Sequence, residues 1–250
     1  MQTIKNIFGR IWAFWGLLTF AITFLIIFIP SMFSYAFSDY KKGQTYFLAV
    51  SRVWMNTWLF LIGCPVKVYG RENFSKDESY IVVFNHNAFL DVNLSAPFVG
   101  GPNKTIAKES FAKVPIFGLF YKRGSVLLNR NDDRSRQKSF EEMKRILKLG
   151  INMCIYPEGT RNRTDQPLKA FYDGAFKLSF ATEKKILPCV IFGTKKAMPI
   201  HKKFFLLPTK LEMHFLPPVA PNGTVKLFKD QIFNIMLEEY LRGKKVKSEK

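Results

Sequence analysis

Apolar residues are concentrated in the first quarter of the chain, where they form two long segments. Residues 11–29 are uncharged and almost wholly apolar, and at about 1.5 Å of rise per helical residue they approach the thickness of a membrane's hydrocarbon core. Residues 46–64 form the second segment, which contains Arg52 and two tryptophans and is typical of a helix at a membrane interface. We therefore expect residues 1–64 to form a membrane-embedded two-helix segment.

Each apolar segment has a competing interpretation. Lys5 and Arg10 precede the first segment, as in a secretory signal peptide, but the apolar stretch is long for one. The Pro-Ser-Met-Phe sequence at residues 30–33 is also a poor cleavage site. The second segment also fits a buried core helix of a soluble domain.

The basic residues around these segments favour helices embedded from one face of the membrane. Lys5 and Arg10 precede the first segment and Lys41 and Lys42 follow it, so a single span would leave one basic pair on the side that positive charge avoids. Arg52 makes the second segment a poor span, since an arginine at the bilayer centre costs about 2.5–3.5 kcal/mol. A monotopic helical pair satisfies these charges better than a two-span hairpin.

Short strands alternate with helices in the rest of the chain. The predicted strands are 66–69, 80–84, 125–129, 151–156, 186–192 and 210–215, and the predicted helices are 132–149, 174–182 and 227–241. This alternation predicts an α/β domain, residues 65–242, whose sheet is covered by helices on its faces. The basic tail, residues 243–250, is expected to be disordered.

The first candidate site follows the predicted strand at 80–84, which reads as buried on both faces. A helix is expected within 88–97, with Asn87 as its N-cap. His86 and Asp91 lie five residues apart, which is about 140° of rotation on a helix. The two side chains therefore meet only if His86 precedes the helix and the chain bends back over its first turn. A lone histidine at such a turn is most often incidental, so the interpretation depends on motifs downstream.

The charge balance narrows the class of partner. The 38 basic and 19 acidic residues give a net charge of +19, which implies nucleic acid, anionic lipid or a phosphorylated substrate. The 26 phenylalanines and the apolar N-terminus favour an anionic membrane surface over nucleic acid. The basic residues are also scattered and match no known nucleic-acid-binding motif, so no nucleic-acid partner is expected.

The cysteines and histidines do not indicate a metal site. Cys64, Cys154 and Cys189 are odd in number and widely spaced, which predicts buried thiols in a reducing compartment and neither a disulfide framework nor a zinc site. His201 and His214 have no acidic partner at a suggestive spacing and are expected to be surface or internally satisfied residues. No metal is predicted.

Four motifs occur in a fixed order along the α/β domain. They are N-H-x-x-x-x-D at 85–91, G-x-x-x-x-x-R at 124–130, Y-P-E-G-T-R at 156–161 and L-P-C-V-I at 187–191. The first motif alone is weak, but its combination with P-E-G-T-R at this separation is specific. The set resembles the glycerolipid acyltransferase family, and most closely its bacterial 1-acylglycerol-3-phosphate (lysophosphatidic acid) acyltransferases. The resemblance covers about residues 66–215, and the two apolar segments also match that branch.

The resemblance implies a mixed sheet flanked by helices and a membrane-bound acyltransferase. The implied reaction moves a fatty acyl group from an acyl thioester to the free sn-2 hydroxyl of lysophosphatidic acid, giving phosphatidic acid. The donor would be acyl-CoA or acyl-carrier protein, the acceptor a lysophospholipid, and no resident cofactor is implied. Because the donor is soluble and cytosolic, the expected location is the cytoplasmic face of the inner (plasma) membrane.

Two positions depart from the family pattern. Tyr156 replaces a commoner phenylalanine, which we expect to be harmless. Tyr172 and Asp173 stand before Gly174, where a lysine is common, and this departure removes a cation near the third motif.

The chemistry of the residues agrees with the implied reaction. An alcohol that attacks a thioester needs a base, and a neutral imidazole with a pKa of about 6.5 suits that role. We predict that His86 is the general base and that Asp91 fixes its tautomer and stabilises the imidazolium. The sequence has no G-x-S-x-G motif, so direct attack without an acyl-enzyme is predicted.

The predicted substrate-binding residues surround the third motif and are Lys108, Arg130, Glu158, Gly159, Thr160 and Arg161. Arg161 offers the fork of donors that a phosphomonoester needs, with Arg130 and Lys108 as further cations. Gly159 allows the loop backbone to approach the phosphate. Glu158 would repel the phosphate, so it is expected to bind the glycerol hydroxyl or to hold Arg161. The competing interpretation is a tight turn whose charged residues are solvated.

Two other functions compete with the first. One is the same chemistry on another acceptor, such as glycerol-3-phosphate, a lyso-ornithine lipid or another lysophospholipid. The other is a non-catalytic basic membrane-binding module with a relic site. A module that needs only the surface has no physical use for the intact set of His86, Asp91, Glu158 and Arg161, which argues against the relic.

Overall fold

The computed structural model describes residues 2–75 and 77–248, with side chains described as far as residue 244. The helices are α1 (Gln2–Met32), α2 (Tyr40–Leu61), α3 (Asp91–Ser95), α4 (Phe117–Gly124), α5 (Asp133–Lys148), α6 (Gly174–Thr182), α7 (Thr194–Ala197) and α8 (Val225–Ser248). The strands are β1 (Val66–Tyr69), β2 (Ile81–Phe84), β3 (Asn103–Lys108), β4 (Ser125–Leu128), β5 (Asn152–Ile155), β6 (Ile186–Phe192) and β7 (Leu211–Phe215).

The strands form one mixed sheet in the order β1-β7-β6-β2-β5-β3-β4. Neighbouring strands are parallel except for β6 and β7, which are antiparallel. The central strand β2 lies between β6 and β5, with Val83 level with Pro188 and Ile155. The predicted mixed sheet is therefore confirmed, and the ends of its central strands open at one edge, where ligand sites of such sheets are usually found.

Helices cover both faces of the sheet because its central strands alternate between two apolar layers. Val82 and Phe84 pack in one buried cluster with residues of α1, α2 and α3. Ile81 and Val83 pack on the opposite face with residues of α5, α6 and α8. The predicted burial of this strand on both faces is confirmed, and it explains the unbroken apolar run in the sequence.

The second apolar segment of the chain belongs to the core of the domain. Trp54 and Trp58 of α2 are buried in the same cluster as Val82 of the central strand. The guanidinium of Arg52 is half-buried and donates to the carbonyls of Pro97 (2.7 Å) and Val99 (3.3 Å). The inner face of α2 is therefore buried, as the alternative interpretation of a core helix predicted. The apolar core also continues across residue 64, where the membrane-embedded segment was expected to end.

Helix α1 presents a long apolar surface to the outside. Small residues, including Gly9, Ala13 and Gly16, form its buried stripe and allow close packing. Its outward face carries large exposed apolar side chains: Ile4, Ile7, Ile11, Phe14, Leu17, Leu18, Leu25, Ile26 and Ile29. Among the described helices, α1 with the turn that follows it (Gln2–Tyr35) is the one long and apolar enough to cross a membrane, by length and composition only.

Two local predictions near the candidate site were wrong. Residues 103–108 form the strand β3, paired with β5 and β4, which is absent from the strands predicted above. Helix α3 is only five residues long and is preceded by Leu90, so Asn87 is not its N-cap. The backbone N–H of Asn87 instead donates to the Asp91 carboxylate.

The basic tail, which was expected to be disordered, is helical in the structure as far as residue 248. Helix α8 continues from Val225 to Ser248, and residues 249–250 lie outside the described residues. A Cβ on Gly243 would lie 2.5 Å from the Phe192 ring, so the helix is packed closely against β6 at this point. The Lys244 ammonium lies 5.3 Å from the centre of the Tyr240 ring. These contacts extend the helix beyond the last position that the sequence pattern supports.

Candidate active site

His86 and Asp91 form a hydrogen-bonded pair at the end of the central strand. The His86 Nδ1 lies 2.9 Å from the Asp91 Oδ2, and this oxygen also accepts from the backbone N–H groups of Asn87 (2.6 Å) and Ala88 (2.7 Å). His86 precedes α3 and the chain bends back over the first turn, as the five-residue spacing required. Because a carboxylate only accepts hydrogen bonds, Nδ1 carries the proton and Nε2 is left with its lone pair. The His86 side chain is 14% exposed, whereas Asp91 is fully buried.

The Asn85 side chain, immediately before His86, pairs with the backbone of the neighbouring strand β6. Its side-chain amide donates to the carbonyl of Ile191 (3.0 Å), and its amide oxygen accepts from the N–H of Ile191 (2.7 Å). The buried side chain therefore copies a backbone pairing and ties the end of β2 to β6. This contact fixes where His86 leaves the sheet.

The Tyr156 ring supports the imidazole from one side. The ring centres of Tyr156 and His86 are 4.3 Å apart, and their planes are tilted by 30°. Burial, and then the charge of Asp91, raises the pKa of Tyr156 well above its usual range, so the phenol stays neutral. Together with Asp91, this packing holds the His86 ring in one orientation.

Glu158 ties the third motif to the backbone of His86. Its carboxylate is fully buried and accepts from the N–H of His86 (2.8 Å) and from the N–H of Lys169 (3.2 Å). The N–H of Asn162 donates in turn to the carbonyl of His86 (2.6 Å). Glu158 lines neither cavity described below, and both of its carboxylate oxygens accept backbone hydrogen bonds that hold the loop to the end of β2.

The buried Glu158 carboxyl predicts a pH-dependent stability. Burial raises its pKa from an ordinary value near 4.5 to about 7, although hydrogen bonds from the His86 and Lys169 N–H groups oppose the rise. Between these values the folded state holds a proton that the unfolded state releases. The free energy of unfolding should therefore fall as pH rises from about 4.5 to about 7, by about 3 kcal/mol from this group.

The Glu158→Gln variant isolates this effect, because glutamine does not titrate. In denaturant unfolding measured in detergent, the free energy of unfolding of the wild type should fall by about 3 kcal/mol relative to that of the variant as pH rises over the same range. Glu238→Gln, at an exposed position of α8, is the matched control and should leave the profile unchanged. Parallel curves for wild type and Glu158→Gln would contradict the assignment.

Two cavities meet at Thr160. The first has a volume of about 510 Å³ and is called the histidine cavity; it is lined by His86, Thr160, Arg161, Arg163, Thr164 and Lys169. The second has a volume of about 560 Å³, and its lining includes Lys108, Arg130, Gly159 and Thr160. The structure therefore places five of the six predicted substrate-binding residues, all except Glu158, in the lining of one or both of these cavities.

The loop between the cavities needs glycine at position 159. Gly159 has a φ of +71°, and a Cβ there would lie 2.7 Å from the Tyr172 ring. The Arg130 guanidinium donates to the carbonyl of Gly159, which fixes the loop from the second cavity. The glycine thus serves a turn that is closed by neighbouring side chains.

The cysteines offer no nucleophile for this site. Cys64, Cys154 and Cys189 are unpaired and buried, as predicted. Burial raises the pKa of Cys64 to about 11 and raises the pKa values of Cys154 and Cys189 as well. Thiols that stay protonated react poorly. Within the described residues, no group of three or more histidine, cysteine, aspartate or glutamate side chains is placed to hold a metal ion.

His214 has acidic partners that the sequence did not predict. Its Nδ1 lies 2.7 Å from the Glu239 Oε1 of α8, and its Nε2 lies 3.2 Å from the Glu212 Oε2 on the same strand. Glu239 is remote in sequence, so no spacing rule could identify it. Both ring nitrogens are occupied, and His214 lines neither cavity. His201 is exposed, as predicted.

Some residues of the site were missed at the sequence level. Asn85 and Tyr156 stand inside the quoted motifs, but their contacts depend on the pairing of β2 with β6 and β5. Lys169 lies outside every motif and reaches the histidine cavity through the fold of its loop. No sequence signal marks it.

The chain is similar to known acyltransferases in sequence and in structure. The family model described as "Acyltransferase" matches residues 65–192, about half of the chain. A 1-acyl-sn-glycerol-3-phosphate acyltransferase of Chlamydomonas reinhardtii is 29% identical over 217 residues, covering 83% of this chain and 62% of the relative. A chloroplastic enzyme of the same name from Arabidopsis thaliana is 32% identical over 183 residues, covering 72% of this chain and 49% of the relative.

A bacterial relative and a solved structure extend the comparison. The 1-acyl-sn-glycerol-3-phosphate acyltransferase of Borreliella burgdorferi is 29% identical over 137 residues and covers 54% of each chain. The chain thus spans about half to three fifths of the length of these relatives. The crystal structure of PlsC, the 1-acyl-sn-glycerophosphate (LPA) acyltransferase from Thermotoga maritima, matches with a TM-score of 0.79 and 24% identity. It covers 98% of both chains and shows that the two share a fold.

Proposed function

The chain belongs to the Acyltransferase family, and we propose that it transfers a fatty acyl group from an acyl thioester to the free sn-2 hydroxyl of lysophosphatidic acid, giving phosphatidic acid. One observation carries this proposal: His86, which is hydrogen-bonded to the buried Asp91, lines a cavity whose other lining includes Arg161. A general base and a phosphate-binding cation at one cavity suit a phosphorylated alcohol. The relatives named above carry the same activity in their names.

The proposed mechanism is direct attack of the acceptor on the thioester. The acceptor hydroxyl oxygen bonds to the thioester carbonyl carbon while His86 Nε2 takes the hydroxyl proton. Asp91 stabilises the imidazolium that forms. The tetrahedral intermediate then breaks its carbon–sulfur bond, and the imidazolium returns the proton to the departing thiolate. The products are the new ester and a free thiol, with His86 restored.

The substrate-binding roles follow from the two cavities. Arg161 binds the acceptor's phosphate beside His86. Lys108 and Arg130 line the second cavity, and we assign them to the substrate groups that extend past Thr160. The donor is acyl-CoA or acyl-carrier protein, and no resident cofactor takes part.

A panel of acceptors tests this function. One labelled thioester donor is offered with lysophosphatidic acid, glycerol-3-phosphate, a lyso-ornithine lipid and other lysophospholipids, and release of free thiol is measured. Fastest turnover with lysophosphatidic acid is expected. A higher rate with another acceptor would change the substrate, and no thiol release with any acceptor would favour a non-catalytic membrane-binding module.

We also propose that the protein attaches to the cytoplasmic face of the inner (plasma) membrane through the exposed apolar face of α1. Both ends of α1 are held by the catalytic domain. Near its start, the carbonyl of Gly9 accepts from the N–H of Leu206 (3.0 Å). Just after its end, Ser34 accepts from the guanidinium of the buried Arg123 through its hydroxyl and its carbonyl (both 3.1 Å). A helix held at both ends by one domain is easier to embed from one face than to thread across the bilayer.

Cysteine labelling in sealed vesicles distinguishes the possible topologies. Lys5→Cys and Lys41→Cys, in a cysteine-free background, are compared with Lys177→Cys in the catalytic domain; all three positions are exposed. The monotopic model predicts modification of all three from the same side. Modification of position 41 alone from the opposite side would indicate a two-span hairpin, and of position 5 alone a single span.

A further inference from the structure

Four lysines lie in the connection between β6 and β7. We call them the lysine patch, and they are Lys195, Lys196, Lys202 and Lys203. No aspartate or glutamate occurs between residues 186 and 211, so every charged position in this part of the chain is basic. Over the residues that the structure describes, none of the four lysines forms an ion pair. The patch therefore presents positive charge that has no acidic partner within the described chain.

The lysine patch lies at the same end of the sheet as His86. Strand β6 runs parallel to the central strand β2, so the segments that follow these two strands leave the sheet at the same edge. The Lys195 Nζ donates to the carbonyl of Thr164 (3.3 Å), and Thr164 lines the histidine cavity together with His86. A partner of the lysine patch would therefore lie close to the cavity in which the acceptor is proposed to react.

The lysine patch is also packed against the first turns of α1. The Lys202 Nζ donates to the side-chain oxygen of Asn6 on α1 (2.7 Å) and lies 4.4 Å from the centre of the Phe205 ring. Phe205 is buried against Gly9 of α1, where a Cβ would overlap its ring. The outward face of α1 at this end carries exposed apolar side chains such as Ile7. The patch thus borders the apolar face that is proposed to enter the membrane.

Phe204 is held outward beside these lysines. Its side chain is 55% exposed, although its neighbours Phe205 and Leu206 are buried. Its φ of +48° lies in the left-handed region, which a bulky side chain rarely occupies. The turn therefore keeps an apolar ring in contact with the surroundings at a cost in backbone strain. An exposed aromatic ring next to lysines is typical of a surface at a membrane interface.

We propose that the lysine patch and Phe204 form a second membrane contact, in which the lysines bind the headgroups of anionic lipids and the Phe204 ring inserts between them. The patch continues into the apolar face of α1, which favours a bilayer over nucleic acid or an acidic protein. This inference rests on the proposed attachment through α1 and adds to it. Two contacts fix the tilt of the domain, so that the histidine cavity lies at the level of the headgroups.

A fluorescent probe near the patch tests this contact in the full chain. His201→Cys, in the cysteine-free background, carries a nitrobenzoxadiazole dye and is compared with Lys226→Cys on α8, which packs on the opposite face of the sheet from α1. Both positions are exposed. On vesicles of phosphatidylcholine and phosphatidylglycerol in equal parts, an aqueous quencher should act at least about twofold less on the probe at position 201 than on the probe at position 226. Phosphatidylcholine alone should give weaker shielding.

Charge variants measure the contribution of the lysines. Lys196→Gln with Lys203→Gln should lower the partition coefficient onto the mixed vesicles about 10- to 30-fold, and onto phosphatidylcholine vesicles hardly at all. The control is Lys177→Gln with Lys226→Gln, which removes the same charge from exposed positions of α6 and α8. This control should match wild type on both kinds of vesicle.

A variant of Phe204 measures the contribution of the ring. Phe204→Asn should weaken partition onto both kinds of vesicle, while the fold is kept because asparagine tolerates the left-handed backbone. Leu227→Gln, at an exposed apolar position of α8, is the control and should leave partition unchanged.

The outcomes separate this inference from the proposed attachment and from the proposed reaction. If the chain does not float with vesicles, attachment through α1 falls together with the second contact. If it floats but the probe at position 201 is quenched as in water, only the second contact falls. Equal losses from both lysine pairs would indicate diffuse charge, and shielding by acyl-carrier protein without vesicles would indicate an acidic protein; either result overturns the inference. None of these measurements requires acyl transfer.

Discussion

Replacement of His86 by alanine is expected to lower turnover by a factor of about 10² to 10⁴, the usual cost of losing a general base. The acceptor hydroxyl then has no group to take its proton as the carbon–oxygen bond forms. Nothing else described in the histidine cavity fits that role, because Arg161, Arg163 and Lys169 are cations and Glu158 is buried beneath the loop.

The fold should survive this substitution. The backbone N–H and carbonyl of His86 hold the third motif through Glu158 and Asn162, and alanine keeps both groups. The Asp91 Oδ2 also keeps its two backbone donors. Circular dichroism and flotation with anionic vesicles should therefore match wild type. His201→Ala, at an exposed site, is the control for histidine loss. A His86→Ala protein with near-normal turnover would remove His86 from the mechanism.

The sequence predicted those parts of the fold whose pattern is local. The strand at 186–192 and the helix at 174–182 were predicted with the bounds that the structure has. The strand is a short unbroken apolar run, and the helix carries its buried residues along one stripe, so local pattern and length identify both. The strand β3 was missed because it lies near the edge of the sheet and carries Lys104 and Lys108. Lys104 is nevertheless buried, and its ammonium lies 5.3 Å from the centre of the Tyr40 ring.

The candidate site could likewise be predicted only where its geometry depends on local sequence. The bend that joins His86 to Asp91 follows from helix geometry and a five-residue spacing, both of which are local. The position of Glu158 depends on the parallel pairing of β2 with β5, which brings its carboxylate under the His86 backbone. From sequence alone, a charged residue in a loop is interpreted as solvated or ligand-binding. Only the tertiary contacts of the folded chain show that it is buried. Lys169 depends on the same assembly of loop and strand.

Substitution of Asp91 by asparagine is expected to be nearly as severe as loss of His86. The Asp91 Oδ2 accepts three hydrogen bonds, from the Nδ1–H of His86 and from two backbone N–H groups. If the asparagine oxygen takes this place, its NH₂ group is buried where Oδ1 has no partner among the described residues, and no negative charge stabilises the imidazolium. If the amide turns over, it faces three donors, and His86 must move its proton to Nε2 to form a bond. In either orientation the base is lost or weakened, and turnover should fall by a factor of about 10² to 10⁴.

The double variant shows whether Asp91 acts through His86. Since both residues serve one proton transfer, their losses should not add: His86→Ala with Asp91→Asn should be about as slow as His86→Ala alone. The KM for lysophosphatidic acid should change little in either single variant, because the proposed contact with the acceptor's phosphate is made by Arg161. Asparagine is preferred to alanine at position 91 because it keeps the side-chain volume and at least one acceptor for the backbone donors. Multiplied losses in the double variant would mean that Asp91 contributes independently of the imidazole, and they would exclude the pair as a single catalytic unit.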